Sequence, residues 1–199
     1  ELTATVFITA IGCLLAYWSD APLKELANPA VPENPAKAPW YFLGLQELVS
    51  YSAFMGGIGL PTVVLVGLSM VPLIDREPGA VGRWFEDETG RRVAWLTLVF
   101  ATVVCVGMLA FTVNFGWLRN WFPNVPQLLI VLVNPGTILA AVFSLYSIGV
   151  IKWTNSVRAG SIALFVCFLV GFAILTYFGS VHRGPNWDFY WWPSLWAPH

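Results

Sequence analysis

Residues 93–115 read VAWLTLVFATVVCVGMLAFTVNF, an apolar run without a single charged residue. A helix needs about 17–25 apolar residues to cross the hydrocarbon core of a bilayer. The run does not alternate with period two, as a barrel strand would. In lipid its backbone groups must be satisfied internally, so a helix is the expected form. Working outward, four further runs have the same character: about residues 2–18, 54–74, 125–153 and 157–179. The expected fold class is therefore all-α: a multi-pass transmembrane helical protein with about five transmembrane helices.

Composition agrees. Hydrophobic residues make up 57% of the 199-residue chain and charged residues 11%. A soluble domain carries about a quarter charged residues, so this chain has too little polar surface to cover itself in water. The net charge of −1 gives no basic footprint for nucleic acid. Cys13, Cys105 and Cys167 each lie inside an apolar run and read as small buried hydrophobes. They form no CxxC or CxxCH pattern, so neither a disulfide framework nor a covalent c-heme is expected. The chain opens at Glu1 without a basic leading segment, and no cleavable signal peptide is expected.

The loops set an orientation. Arg76, Arg83, Arg91 and Arg92 lie between the second and third runs, and Lys152 and Arg158 between the fourth and fifth. These six of the ten basic residues share one side, which the positive-inside rule puts in the cytoplasm. A bacterial inner-membrane protein then places the loop 19–39 and the C-terminal tail on the periplasmic, positive side. That side is aromatic: Trp40, Tyr41, Trp117, Trp121, Phe122, and then a tail reading GPNWDFYWWP from Gly184. Aromatics at span ends are ordinarily interface anchors. The density in this tail is the sign of a segment lying flat on the membrane surface or on a partner subunit.

Proline and glycine punctuate the runs. Pro61 follows Gly56, Gly57 and Gly59, where small residues permit close helix approach and proline kinks a helix or marks its first turn. Asn134-Pro135-Gly136 interrupts the fourth run. It either divides a short surface segment from the true span or kinks one long helix, and the kink is the preferred reading. The loop IDREPGAVGRWFEDETGRR, from Ile74, is mixed in charge and reads as a solvated connector or a docking site for a partner or anionic lipid.

The chemically informative stretch is Asn28–Glu47, NPAVPENPAKAPWYFLGLQE. Pro29, Pro32, Pro35 and Pro39 stiffen it into an extended loop. The loop feeds Trp40-Tyr41-Phe42 and a short surface helix, an element suited to roofing an apolar cavity at the membrane edge.

The order of span, proline-rich loop, PWYF, short helix, glycine- and proline-containing span, arginine loop and span resembles the C-terminal half of cytochrome b. It is most similar to subunit IV of b6f-type complexes, in which that half is a separate chain. The resemblance covers about residues 1–115. Residues 116–180 would be two additional spans and 181–199 an aromatic extramembrane tail. Subunit IV has three spans and the bc1-type half has four, so five would be an extension.

The resemblance implies a heme-free subunit of a quinol:cytochrome c oxidoreductase. Its proline-rich loop would wall the quinol-oxidation site on the positive side of the membrane, supporting proton-coupled electron transfer. The family motif is Pro-Glu-Trp-Tyr. Here it reads Ala38-Pro39-Trp40-Tyr41, with Pro39 where the family has a proton-accepting glutamate. Glu47 lies seven residues after Trp40 and returns to nearly the same helix face. A carboxylate beside an apolar cavity is suited to proton exchange near neutrality, because desolvation disfavours the charged form. Glu47 and Tyr41 are thus the expected catalytic residues, and Pro39, Trp40, Phe42, Leu45 and Gln46 the expected quinol contacts. Menaquinol is the substrate expected of a bacterial form.

Transmembrane b-hemes are held by histidine pairs on facing helices. The two histidines here, His182 and His199, both lie beyond the fifth run. Heme b is therefore expected on a partner resembling the N-terminal half of cytochrome b, and no metal site is read in this chain. A Rieske iron–sulfur protein or c-type cytochrome is the implied acceptor. Two other classes stay open. One is a non-catalytic membrane anchor docking extrinsic cytochromes. The other is a small transporter on the broken fourth run, weakened by the scarcity of ionisable groups inside the spans.

Overall fold

A computed structural model describes residues 2–19, 26, 37–76 and 87–195. Among them every regular element is helical. The chain divides into two compact units, Glu1–Glu33 and Asn34–His199. The first contains α1, Leu2–Trp18. The second contains α2 (Trp40–Tyr51), a π-helical turn Met55–Gly59 running into α3 (Leu60–Ile74), α4 (Glu88–Phe115), α5 (Leu118–Trp121), α6 (Gln127–Leu132), α7 (Pro135–Thr154) and α8 (Val157–Val181). Two single 3-10 turns follow, Pro185–Trp187 and Pro193–Leu195.

Four helices are long and apolar enough to cross a membrane: Met55–Ile74, Glu88–Phe115, Pro135–Thr154 and Val157–Val181. The expected count was five. The first run forms a shorter apolar helix of 17 residues, at the lower end of the length that crosses a bilayer, so the fifth span is not confirmed.

Local chemistry explains the helix ends. Asp87 caps α4 by accepting from Gly90 N (3.0 Å), and Ser156 caps α8 by accepting from Ala159 N (3.0 Å). Gly116 ends α4 at φ 71°, a left-handed conformation that glycine adopts without a Cβ penalty. Asn155 ends α7 at φ 54° and ψ 27°, in the left-handed α region.

The Asn134-Pro135-Gly136 break is a helix start and not a kink. Asn134 accepts from Thr137 N at 3.0 Å and is 2% exposed. Pro135 occupies the first turn, where its missing N–H costs nothing. Val133, at φ −112° and ψ 66°, has already left the helix, so α6 is a short separate segment. An N-cap asparagine followed by proline starts a helix more readily than it bends one.

The core lies between α4, α7 and α8. α4 contributes Val93, Thr97, Ala101, Cys105 and Leu109, one residue every fourth position along a single face. Val93 meets Val150 and Ala163 at one end. Ala101 and Cys105 meet Leu139, Phe143 and Cys167 in the middle. Leu109 meets Leu175 and Phe178 at the other end. These pairings make α4 and α8 parallel and α7 antiparallel to both. Cys105 and Cys167 are buried as expected, whereas Cys13 is exposed. Close approach rests on small residues: a Cβ at Gly160 would collide with the side chain of Ile151, and Ser147 Oγ bonds Gly160 O at 2.8 Å.

α3 runs parallel to α7 and is pinned at both ends. Leu60 meets Gly136 at one end. At the other, Arg158 Nε and Nη2 donate to Asp75 at 2.8 and 3.2 Å. That pair places the connectors after α3 and after α7 at the same end of the bundle, as the charge pattern anticipated. α2 and the tail occupy the opposite end.

The turn from α2 into α3 depends on one glycine. A Cβ on Gly56 would lie 2.5 Å from Val49 N and 2.6 Å from Val49 Cα, whereas Gly57 has nothing within 4 Å. Backbone cannot yield as a side chain does, so Gly56→Ala should cost about 1–3 kcal/mol. Gly57→Ala should be neutral or mildly stabilising through helix propensity. Thermal denaturation of the detergent-solubilised protein by intrinsic tryptophan fluorescence checks the contrast; equal melting temperatures for the two variants would refute it.

Candidate functional site

α2 is the element that the sequence marks for function, and it has two faces. Its inner face packs across α8 through Leu43, Gly44 and Glu47. Glycine on both helices keeps the crossing close. A Cβ at Gly44 would lie 3.1 Å from Thr176 Oγ1 and 3.3 Å from Phe172 O, and one at Gly179 would lie 3.1 Å from Leu43 Cγ. Thr176 Oγ1 is itself buried and has no hydrogen-bond partner among the described residues. It faces the position where only glycine leaves it room.

Glu47 is fully buried. Its carboxylate accepts four hydrogen bonds: from Tyr51 Oη (2.7 Å), Arg183 Nη2 (2.6 Å), Arg183 Nε (3.0 Å) and Trp187 Nε1 (3.2 Å). The guanidinium meets the carboxylate with two nitrogens, the strongest geometry such a pair has. Arg183 Nη1 donates to Trp187 O at 3.0 Å, and its Cζ lies 5.2 Å from the Phe178 ring centroid. Burial works against the charge on Arg183. Hydrogen bonding and Coulomb attraction from Glu47, followed by Tyr51, outweigh that and raise its pKa. Burial, with the neighbouring Glu47 carboxylate, pushes the Tyr51 hydroxyl well above its usual range, so Tyr51 stays a donor.

The tail is built around this pair. After α8 the chain reverses: Tyr190 N donates to His182 O (2.8 Å) and Gly184 N to Asp188 O (3.0 Å). Asn186 and Trp187 hold φ of 55° and 63°, a conformation costing about 1–3 kcal/mol each for residues with a Cβ. Trp187 spans Glu47 and Arg183, and those bonds offset the strain. Phe189 stacks on Phe178 at 5.9 Å, with the His182 ring beside both. The tail was expected to lie flat on a membrane or partner. Its described part folds back onto α8 and α2, where the aromatic reversal closes over the ion pair. Trp191 and Trp192 remain exposed.

The expected quinol residues divide between the two faces of α2. Trp40, Tyr41 and Phe42 are exposed at 70%, 53% and 53% and form a continuous edge, with ring centroids 5.8 and 5.1 Å apart. Pro39 precedes the helix and is exposed; Leu45 and Gln46 are half-buried. Gln46 Oε1 accepts from Ala38 N at 2.6 Å, and Lys37 Nζ donates to Ser180 O at 2.9 Å, so the last residues of the proline-rich loop are tied to α2 and α8. Pro29, Pro32 and Pro35 lie outside the described residues.

Glu47 lies at nearly the azimuth of Trp40, two turns further along α2, but is buried where Trp40, in the first turn, is exposed. Its oxygens have about four lone-pair sites in all, and all are taken, so no acceptor is open to a proton arriving from outside. Behind α2 the apolar crevice between Leu48, Tyr51, Leu109 and Leu139 measures ≈ 10 Å³, about the space of one water. That crevice is too small to admit a ring. Sequence reasoning missed Arg183, Tyr51 and Trp187. A lone acid in an apolar helix and a lone arginine just past a span were the signal available.

Removing one partner of a buried pair strands the other charge. Glu47→Gln and Arg183→Met should each cost about 3–5 kcal/mol. The double variant should cost clearly less than their sum, with a coupling of about 1–3 kcal/mol. A double-mutant cycle on thermal or denaturant unfolding measures this; additive losses would show that the two side chains act separately.

No protein-family model, curated protein or solved structure matches this chain.

Proposed function

We propose that this chain is the heme-free half of a split cytochrome b in a quinol-oxidising complex, and that the outer edge of α2 forms one wall of the quinol pocket. The observation that carries the proposal is the exposed, contiguous Trp40-Tyr41-Phe42 edge. It sits in the PWYF segment that resembles the quinol-site loop of cytochrome b. Aromatic side chains left uncovered by their own bundle supply half of an apolar slot, which a partner subunit completes.

In this reading the division of labour on α2 is physical. Trp40 and Phe42 present flat apolar surface to a quinone ring. Tyr41 is the hydrogen-bonding group on that edge and receives a quinol oxygen. Glu47 acts as a positioning residue, holding α2 through Arg183, Tyr51 and Trp187. Heme b and the high-potential acceptor belong to partner chains, the first resembling the N-terminal half of cytochrome b and the second a Rieske protein or c-type cytochrome. The chain sits in a bacterial inner membrane with α2 and the tail on the positive side, in keeping with the basic residues at the opposite end.

A second reading rests on Trp191, Trp192 and Leu195, exposed at 62%, 64% and 57% at the same end of the bundle as α2. A non-catalytic anchor would use them to dock an extrinsic cytochrome. The two readings separate on inhibitor contact: a photoreactive quinol-site inhibitor labels Trp40–Phe42 in the first and not in the second.

The test is purification of the tagged chain from native membranes in mild detergent. A copurifying subunit carrying quinol-reducible b-heme is expected. Tyr41→Phe should slow quinol-dependent cytochrome c reduction about tenfold, the value of one hydrogen bond in the transition state, without changing the melting temperature. Isolation of the intact assembly without any heme-bearing membrane subunit would overturn the proposal.

A further inference from the structure

Where α4 and α8 end, a recess of ≈ 520 Å³ opens between the last turn of α4, α5 and the tail. Val113, Asn114, Asn120, Arg183 and Asp188 are among the residues lining it. Two kinds of unspent polar capacity meet there.

The first is acceptor capacity. A helix C-terminus leaves carbonyls without intrahelical partners and carries partial negative charge. In α4, Thr112 O is taken by Gly116 N (3.0 Å) and Phe115 O by Trp121 Nε1 (2.8 Å). The carbonyls of Val113 and Asn114 accept from no other described residue. The Asp188 side chain is exposed and makes no hydrogen bond or ion pair with any described residue. Asn114 spends its amide nitrogen on Ala110 O (2.7 Å), leaving its oxygen as a further acceptor.

The second is donor capacity. Arg183 commits Nε and one N–H on each terminal nitrogen to Glu47 and Trp187 and also interacts with the Tyr51 hydroxyl, which leaves at least one terminal N–H for a ligand. The Asn120 side chain has no partner among the described residues. The ion pair with Glu47 fixes the guanidinium, so these donors are presented without further ordering cost.

With α4 and α8 read as membrane spans, the recess lies toward the headgroup level. It adjoins the ends of two helices long enough to span a membrane, and Trp121 and Phe122 beside it are exposed, as interfacial aromatics are.

We infer that this recess binds the headgroup of a zwitterionic phospholipid bearing a primary ammonium, of the phosphoethanolamine class. The ammonium N–H groups go to Asp188 and the open α4 carbonyls, and the phosphate oxygens to Arg183 and Asn120. An acceptor set that needs N–H donors excludes a trimethylammonium headgroup, which has none. The unpaired carboxylate disfavours an anionic headgroup. The inference rests on the reading of α4 and α8 as membrane spans and not on the quinol proposal.

The experiment is native mass spectrometry of the full chain, with its copurifying partners, released from nanodiscs of equimolar phosphatidylethanolamine, phosphatidylcholine and phosphatidylglycerol. Preferential retention of phosphatidylethanolamine is expected. Asp188→Asn should lower that preference about fivefold, the upper end for one partly exposed ion pair, with melting temperature unchanged. Asn120→Ala should lower it in the same direction. Equal retention of the three lipids, preference for phosphatidylglycerol, or an unchanged preference in Asp188→Asn would each overturn the inference. Soluble glycerophosphoethanolamine separates the lipid from a free headgroup. If it occupies the site while the intact lipid is not retained, the recess is not a lipid site.

Discussion

A carboxylate with no access to solvent governs this structure. Leaving Glu47 charged and alone between α2 and α8 would cost several kcal/mol, so the fold has to bring donors to it. It does so from both directions: Tyr51 from one turn along α2, and Arg183 and Trp187 from the far end of the chain. Meeting that demand requires α8 to end where it does and the tail to reverse. It also requires Asn186 and Trp187 to accept a left-handed backbone. The aromatic density of the tail follows from the same demand, because the reversal must keep water from an ion pair while leaving indole and guanidinium donors free to reach it.

This arrangement is of a kind that sequence pattern reaches only in part. The apolar runs at 54–74, 93–115 and 157–179 became helices with nearly those limits, because span length and hydrophobicity are set locally by the bilayer. The shared end of the two basic connectors was legible for the same reason, and Asp75 with Arg158 ties them together. The fourth run was legible as apolar but not as divided. Hydropathy is blind to the difference between a proline inside a helix and one at its first turn, whereas the Asn134 cap decides it. The sequence marked α2 as a short helix after the proline-rich loop, and its Trp40, Tyr41 and Phe42 are exposed. The role of Glu47 was not legible, since its partner lies 136 residues away and no periodicity relates them. Residue spacing gives the face of a helix; it does not say what the rest of the chain will lay against that face.

The small residues and the polar clasp do different work. Between helices in lipid there is little hydrophobic drive, so association rests on close packing and on hydrogen bonds. The seam of α4, α7 and α8 uses the first: Ala101, Cys105, Ala163, Cys167 and Gly171 bring the backbones near each other. Such contacts are non-directional and tolerate a helix rolling or sliding by part of a turn. At the α2 end the structure uses the second. Gly44 and Gly179 allow α2 to approach α8, but it is the two-point guanidinium contact that selects a single rotation of α2 about its axis.

That selection also fixes which side of α2 stays uncovered, with Tyr41 and Phe42 on it. A rotation by one residue, about 100°, would carry Glu47 off Arg183 and swing Tyr41 off the outer edge together. The outer edge therefore inherits its precision from the buried pair behind it, and Gly56 closes the remaining freedom by letting the chain turn against Val49 without displacing α2. α2 is short, and its most extensive packing is against α8, so its orientation has to be fixed along that one crossing. Enclosing a charge beneath it achieves this, since a misplaced apolar residue loses a little contact whereas a misplaced buried carboxylate loses all of its partners at once.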